Sequence, residues 1–335
     1  MSNLTIKDIA KMAGVSPTVV SFVINGREGV SAKTRKKVEE LIASTHFTPS
    51  RSSRRLVLNK SFNISVIMKS TSNPFLDFFY FEITRGILEK SKEYGYNIVF
   101  TDMSDDSAAS VPDILMQGDA DGVIFYQQVD EALANVVAEK KIPAVLIDSD
   151  SQDIPFPYIN ANYYTAAYTA TKYLIEKGHR EIAMIASSFA PAFYNQIFAG
   201  FSKALSENSL MLSPEWLCIN ATNEQDAYNA MQRLLEAPRR PTAVFCATDM
   251  FAIGAMKCAK SHKLSIPRDL SVIGIDDIVI SEYVEPALTT IRIDKKEMGV
   301  RAMELIMDKI NGKEAENLVL PSDQIVERGS VADIR

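Results

Sequence analysis

The chain has 335 residues, 47% of them hydrophobic, and 36 Lys and Arg against 42 Asp and Glu give it a formal charge of −6. That length suffices for two or three domains with cores of their own, and no stretch approaches the roughly 18 apolar residues of a membrane span. The charge is divided: residues 1–60 carry 11 Lys and Arg against 4 Asp and Glu, a net of +7, and the remainder 25 against 38, a net of −13. A basic head suits a polyanion, and an acidic body avoids sticking to one.

In chain order, TIKDIAKMAGVSPTVVSFVING reads as two short helices joined by a tight turn, a helix-turn-helix. Thr5 is placed to cap the first helix, with Asp8 three residues on. Ile6, Ile9, Ala10 and Ala13 make its apolar face, and Gly14 supplies the turn. Ser16 can cap the second helix, with Pro17 at its first position, where the missing N–H costs nothing. Val19, Val20, Val23 and Ile24 point into a small core. Pro17, Thr18, Ser21, Phe22 and Asn25 are left on the outer face. Phe22 has two readings: it meets base edges, such as a thymine methyl, or it folds back on the third helix. That helix begins at Ser31 and packs through Val38, Leu41 and Ile42. Lys33, Thr34, Arg35 and Lys36 near its start can meet phosphates.

Pro49–Leu58 is too short for a stable lone helix, and its Arg51, Arg54 and Arg55 repel one another. A duplex would neutralise them, which couples folding to DNA binding. Leu56 is the apolar residue placed to wedge into the minor groove.

Beyond Asn63, apolar runs alternate with helical patterns. The expected strands are NISVIM, YNIVF, GVIFY, PAVLID, EIAMIAS, WLCI, TAVFCAT, LSVIGID and LVL, and the expected helices 80–94, 163–177, 224–236, 249–262 and 295–310. Such alternation predicts parallel sheets with helices on both faces. It runs once to about residue 160 and again to about 290, giving two doubly wound subdomains with a cleft between them. Ligands in such sheets sit at the carboxyl ends of strands. Candidate pocket residues there are Phe79 and Tyr80 before the first body helix, Asp148, Asp249 and Asp276 at strand ends, and Phe193 and Gln196 in an aromatic-rich segment. A carboxylate could accept hydrogen bonds from ligand hydroxyls or amines. The bland alternatives are that Asp249 only caps its helix and that Asp148 lines a hinge.

The motifs T-I-K-D-I-A, A-G-V-S, V-I-N-G, V-S-x-K-T-R-x-K-V and P-S-R-x-x-R-x-L resemble the head of the LacI/GalR family of bacterial transcription regulators. KGHREIAMI, RRPTAVFCATD, IPRDLSVIGIDD and PALTTIRID resemble that family's effector core, which is similar to periplasmic sugar-binding proteins. The resemblance implies a DNA-binding set of Thr5, Ser16, Pro17, Thr18, Ser21, Phe22, Asn25, Ser31, Thr34, Arg51, Arg54 and Leu56. Within it, residues 17, 18 and 22 read the major groove, and Leu56 is the hinge lever at the operator centre. It further implies Asp276 as the strongest effector contact, and Thr248 as another. The family usually has Arg or His where this chain has Phe22, so its usual operator is not carried over. It generally has Arg where this chain has Ile197, and an aromatic where this chain has Ala221 and Thr222. Both departures weaken a sugar assignment and leave a more apolar metabolite, or a partner protein, as alternatives.

Implied domains are 1–48 for the head and 49–60 for the hinge. The core subdomains are 61–160 with 291–321, and 161–290 with 322–335, the chain crossing near Asn160, Thr290 and Ser322. The implied partners are a palindromic operator duplex, a small-molecule effector and a second copy of the chain, with body contacts around 80–94 and 249–262. No cofactor is called for. GxGxxG, a P-loop, HExxH and GxSxG are all missing, which argues against an enzyme. A charged start without an apolar signal segment argues against secretion and for the cytoplasm. Cys218, Cys246 and Cys258 lack CxxC spacing and read as reduced thiols. The three histidines are too scattered for a metal site, with His46 expected beside the basic head and His179 and His262 on the surface or in loops.

Overall fold

The computed structural model describes residues 4–24, 27–45, 47, 60–69, 73, 75–103, 111–127, 129–149, 154–187 and 193–335. The chain divides after Phe62 into a small unit and a large one. The expected hinge helix, with Arg51, Arg54, Arg55 and Leu56, lies outside the described residues, as do Asn25 and His46.

The small unit holds α1 (Ile6–Ala13), α2 (Pro17–Ile24) and α3 (Ala32–Thr45). Its core is Ile9, Ala10, Ala13, Val20, Val23 and Val38, closed by Phe47, with Ile6, Ile24, Leu41 and Ile42 packed around it. Val19, expected in this core, is only half-buried and stands apart from it. Phe47 was not foreseen: it follows α3, and its N–H bonds the Ile42 carbonyl at 3.2 Å.

The large unit carries two six-stranded sheets. The first contains β1 (Asn63–Lys69), β2 (Asn97–Met103), β3 (Gly122–Tyr126), β4 (Ala144–Ile147) and β5 (Tyr158–Ala161). Helices α4 (Phe78–Tyr94), α5 (Asp113–Met116) and α6 (Glu131–Glu139) connect them. The chain then passes through α7 (Tyr163–Glu176) into the second sheet: β6 (Ile182–Ile185), α8 (Phe193–Glu207), β7 (Leu217–Cys218), α9 (Glu224–Glu236), β8 (Ala243–Cys246), α10 (Asp249–Ser261), β9 (Ser271–Asp276) and β10 (Thr289–Arg292). It returns as α11 (Lys295–Ile310) and β11 (Leu318–Leu320) to the first sheet and ends through β12 (Ile325–Val326) in the second.

The strand orders are β2-β1-β3-β4-β5-β11 and β7-β6-β8-β9-β10-β12. All pairings are parallel except that of β10 with β12. Each sheet thus reverses direction beside its first strand, where a doubly wound sheet opens its binding crevice. Because β10 reaches Arg292, the second crossing falls a little beyond the expected Thr290. The crossings bond one another: Asn162 N–H meets the Leu320 carbonyl at 3.0 Å, and Arg292 N–H the Gln324 carbonyl at 2.9 Å.

Three helix pairs meet through glycine. A Cβ on Gly86 of α4 would lie 2.1 Å from the Lys296 carbonyl, and one on Gly299 of α11 2.0 Å from that of Ile83. Gly200 of α8 stands in the same relation to Tyr164 on α7, and Gly254 of α10 to Glu224 on α9, each at 2.2 Å. Helix α10 is consequently buried within its own subdomain and exposes only Lys257, Lys260 and Ser261.

His179, expected on the surface or in a loop, lies in the loop between α7 and β6 but is 2% exposed, with Nδ1 3.0 Å from the Thr242 hydroxyl. Burial holds its imidazole below the usual histidine range. Strands β5, β10 and β12 and helices α5, α6 and α8 were not among the segments singled out. The strands are two to four residues long, too short to show periodicity, and are defined by their sheet neighbours.

Candidate nucleic-acid interface and effector cleft

In the small unit, Thr5 and Asp8 form a reciprocal cap. The Asp8 N–H reaches Thr5 Oγ1 at 3.3 Å, and the Thr5 N–H and hydroxyl donate to Asp8 Oδ2 at 2.9 and 2.7 Å. These hydrogen bonds hold the Asp8 carboxyl below its ordinary range. Gly14 ends α1 at φ +69°, a left-handed conformation suited to glycine. The Ser16 hydroxyl accepts the Val19 N–H at 3.3 Å and starts α2. Pro17 and Thr18 are exposed on its first turn, with Ser21 and Phe22 half-buried one turn on. Ser31 caps α3 by accepting the Thr34 N–H at 3.2 Å, and the two hydroxyls lie 2.8 Å apart. Thr5, Ser16 and Ser31 thus fix the helix starts that present the outer face.

Phe22 stands between its two readings. Its ring borders the Cβ position of Gly29 at 3.9 Å and has the Arg27 guanidinium 5.9 Å above it. Arg35 also has a role within the head. Its guanidinium bonds the Arg27 carbonyl at 2.5 Å and that of Val23 at 3.4 Å, tying α3 to the end of α2.

In the large unit, a cavity of about 360 Å³ opens where strands of both sheets end. That volume suits a small metabolite. Its walls come from the segments that follow β1, β3, β4 and β5 in one sheet, and β6, β7, β8 and β9 in the other. Of the expected residues, Phe79, Tyr80, Asp148, Phe193, Thr248 and Asp276 line it, and Ile197 does too. Gln196 does not. Phe193, Tyr194 and Ile197 share the inward face of α8, and Gln196 falls off it, exposed.

Asp249 is also absent from the wall. It is 0% exposed, and its carboxylate accepts the Ile278 N–H at 3.0 Å and the hydroxyls of Ser281 and Thr290 at 2.6 and 2.5 Å. It anchors the segment after β9 rather than a ligand. Nor does it merely cap α10: Thr248 Oγ1 takes that role, accepting the Phe251 N–H at 3.2 Å. Gly274 makes room, since a Cβ there would stand 2.2 Å from Asp249 Oδ1. Burial pushes the Asp249 carboxyl up to about 6 against the pull of its hydrogen bonds.

Asp148, just after β4, and Asp276, the last residue of β9, have φ of +57° and +124°. For residues other than glycine such conformations cost about 1–3 kcal/mol and cluster at functional sites. The turn directs both carboxylates toward the cleft. Asp148 accepts the phenol of Tyr80 at 2.8 Å and that of Tyr163 at 2.5 Å. Burial, then the Asp148 charge, raises both phenols well above their ordinary value. Lys295, 2% exposed, donates to the main-chain carbonyls of Asp276, Asp277 and Ile293. Burial and the nearby Asp249 charge raise the Asp276 carboxyl well above the usual range.

Sequence reasoning missed Asp77, Gln127, Tyr163, Glu224, Phe251 and Ile278 on the wall. The signal available was positional for Gln127, Tyr163 and Ile278, which follow directly on the ends of β3, β5 and β9, and weaker for Asp77, Glu224 and Phe251, which lie further along their connections. Tyr163 was hidden as the first residue of an expected amphipathic helix. Among the described residues no group of His, Cys, Asp and Glu side chains is arranged to hold a metal, and no helix is long and apolar enough to cross a membrane.

Comparison with known proteins matches this division. Residues 5–50 match the model of bacterial regulatory proteins of the lacI family, and residues 171–331 that of a periplasmic binding protein-like domain. The chain is 33% identical to the HTH-type transcriptional repressor PurR of Pasteurella multocida, covering 98% of each. It is 32% identical to the ribose operon repressor of Haemophilus influenzae, over 91% of this chain and 92% of that one. A lac repressor dimer bound to operator and an anti-inducer superposes with a TM-score of 0.82 at 26% identity, over 99% of this chain and 100% of the repressor. A complex of the regulator CelR with cellobiose does so with 0.73 at 26%, over 98% and 99%. With relatives of this identity spanning nearly its whole length, the chain belongs to the lacI family of bacterial transcription regulators, joining a helix-turn-helix DNA-binding head to a periplasmic-binding-protein-like effector core.

Proposed function

We propose that this chain is a cytoplasmic, homodimeric repressor, not an enzyme, whose operator affinity is set by a small molecule in the cleft. The observation that carries the reading is the cavity itself: both sheets end on it, and the crossings between them are few and bonded together. A ligand gripping both walls favours one relative setting of the subdomains, by as much as its affinities for the two settings differ. Dimerisation draws support from the outer face of α4, where Phe81 and Leu88 are exposed, and from the dimeric lac repressor that the chain resembles.

Two heads would read a near-palindromic operator through Pro17, Thr18 and Phe22, with Ser21 and Asn25 alongside. Arg51 and Arg54 would meet phosphates, and Leu56 would open the central step. In the cleft, Asp276 and Thr248 would hold the effector, with Phe79, Tyr80 and Phe193 around it.

Affinity selection of genomic fragments by the purified protein tests this, with Leu56→Ala alongside. A shared palindrome that weakens in Leu56→Ala supports the reading. Salt-sensitive binding without a shared motif, both with and without cell metabolites added, overturns it.

A further inference from the structure

Four carboxylates line the cleft, Asp77, Asp148, Glu224 and Asp276, and no Lys, Arg or His does so among the described residues. Two of the four are already engaged. Asp77 accepts the N–H groups of Phe79 and Tyr80 at 2.7 and 3.4 Å at the start of α4, and Asp148 accepts the two phenols. Glu224 is exposed, at the mouth. Asp276 differs from all three. It is 7% exposed and lines the cavity, yet its carboxylate accepts no hydrogen bond from any described residue. Its cationic neighbour, Lys295, is turned to main-chain carbonyls.

The remaining wall is aromatic. The Phe193 ring lies 5.1 Å from that of Tyr163 and 4.4 Å from that of Tyr194, and Phe79 stands edge-on to Tyr80 at 5.3 Å. Tyr163 and Tyr194 line the same cavity as Asp276, so these rings and the carboxylate share one space. An anion entering here would find four carboxylates and no compensating cation. A neutral polyol could hydrogen-bond Asp276 but would not stabilise its ionised form, which burial and the Asp249 charge disfavour; only a cation does so. A cation meets a carboxylate on one side and ring faces on the other, the pairing used to recognise amines and quaternary ammonium groups.

We propose that the effector of this cleft is a small organic cation, its amine or ammonium group seated against Asp276 and its apolar skeleton among Phe79, Phe193 and Tyr194. This deepens the cleft reading above and rests on it. Glu224 at the mouth adds to the attraction of cations from solution.

The test is calorimetric titration of the full-length protein with three probes on one skeleton: phenethylamine, 2-phenylethanol and phenylacetate. Phenethylamine is expected to bind at least about tenfold tighter than the alcohol, with phenylacetate weakest. Asp276→Asn, close in shape, should bring the amine-to-alcohol ratio near one. Ile197→Trp, which fills the cavity, should abolish binding, with circular dichroism confirming its fold. Amine binding no tighter than alcohol binding, including no binding of either, overturns the cationic class. Amine-selective binding that survives a folded Ile197→Trp instead overturns the cleft as the effector site.

Discussion

The Tyr163 phenol donates to Asp148 at 2.5 Å, a bond that runs from the first helix of one subdomain to a strand end of the other. Tyr80, from the same subdomain as Asp148, supplies the second donor. The carboxylate therefore joins the walls of the cleft beside the place where the chain crosses between sheets. Tyr163→Phe keeps the ring and removes the donor. We expect a loss of about 1–3 kcal/mol, since the acceptor is buried and charged. Urea unfolding measures it, and an unshifted midpoint would show that the bond adds nothing to stability.

Phe22→Arg separates recognition from packing in the head. The half-buried ring touches the turn that carries Arg27 and Gly29, so both roles are open to it. If it reads bases, the substitution changes preference beneath residue 22, at about 1–3 kcal/mol per mismatched pair, and leaves the other positions alone. Selection from a randomised operator gives the answer. A lower melting temperature with unchanged base preference would assign Phe22 to packing.

Gly86→Ala and Gly299→Ala each place a methyl group within about 2 Å of a facing backbone carbonyl, where nothing flexible can yield. Each should destabilise the large unit by about 1–3 kcal/mol or more. The two sites face each other across one helix pair, so their effects should not add. Additive losses in denaturant titrations would mean that α4 and α11 relax independently.

Asp249 predicts a stability change with a defined sign. Its carboxyl is raised from 3.8 to about 6 by burial, so folding favours the protonated form. That contribution is fully present below about pH 4 and is lost as pH rises through about 6. Relative to Asp249→Asn, the wild-type chain should lose up to about 3 kcal/mol across this window and then level off. A difference that is flat from pH 4 to 7 would show that Asp249 is ionised in the folded state throughout.

Local physics determined much of this protein in advance. The caps at Thr5, Ser16 and Ser31, the turn at Gly14 and the apolar periodicities of the head arise within a few residues of one another, so the linear order displays them. The βα alternation does likewise, and with it the doubly wound class and the position of Asp148, Thr248 and Asp276 at strand ends. Tertiary structure decided what those residues do. Asp249 and Asp276 are indistinguishable as aspartates beside strands. Only the packing of Ser281, Thr290 and Gly274 around one shows that it is an anchor, and only the cavity shows the other to be open to a ligand. Gln196 and Ile197 are adjacent, and the helical turn alone sends one outward and the other to the cavity wall. Tyr163 joins Asp148 because the chain crosses between sheets there, and His179 is buried because Thr242, distant in sequence, lies beside it. Such contacts depend on where the chain returns in space, and residue type and spacing carry no record of that.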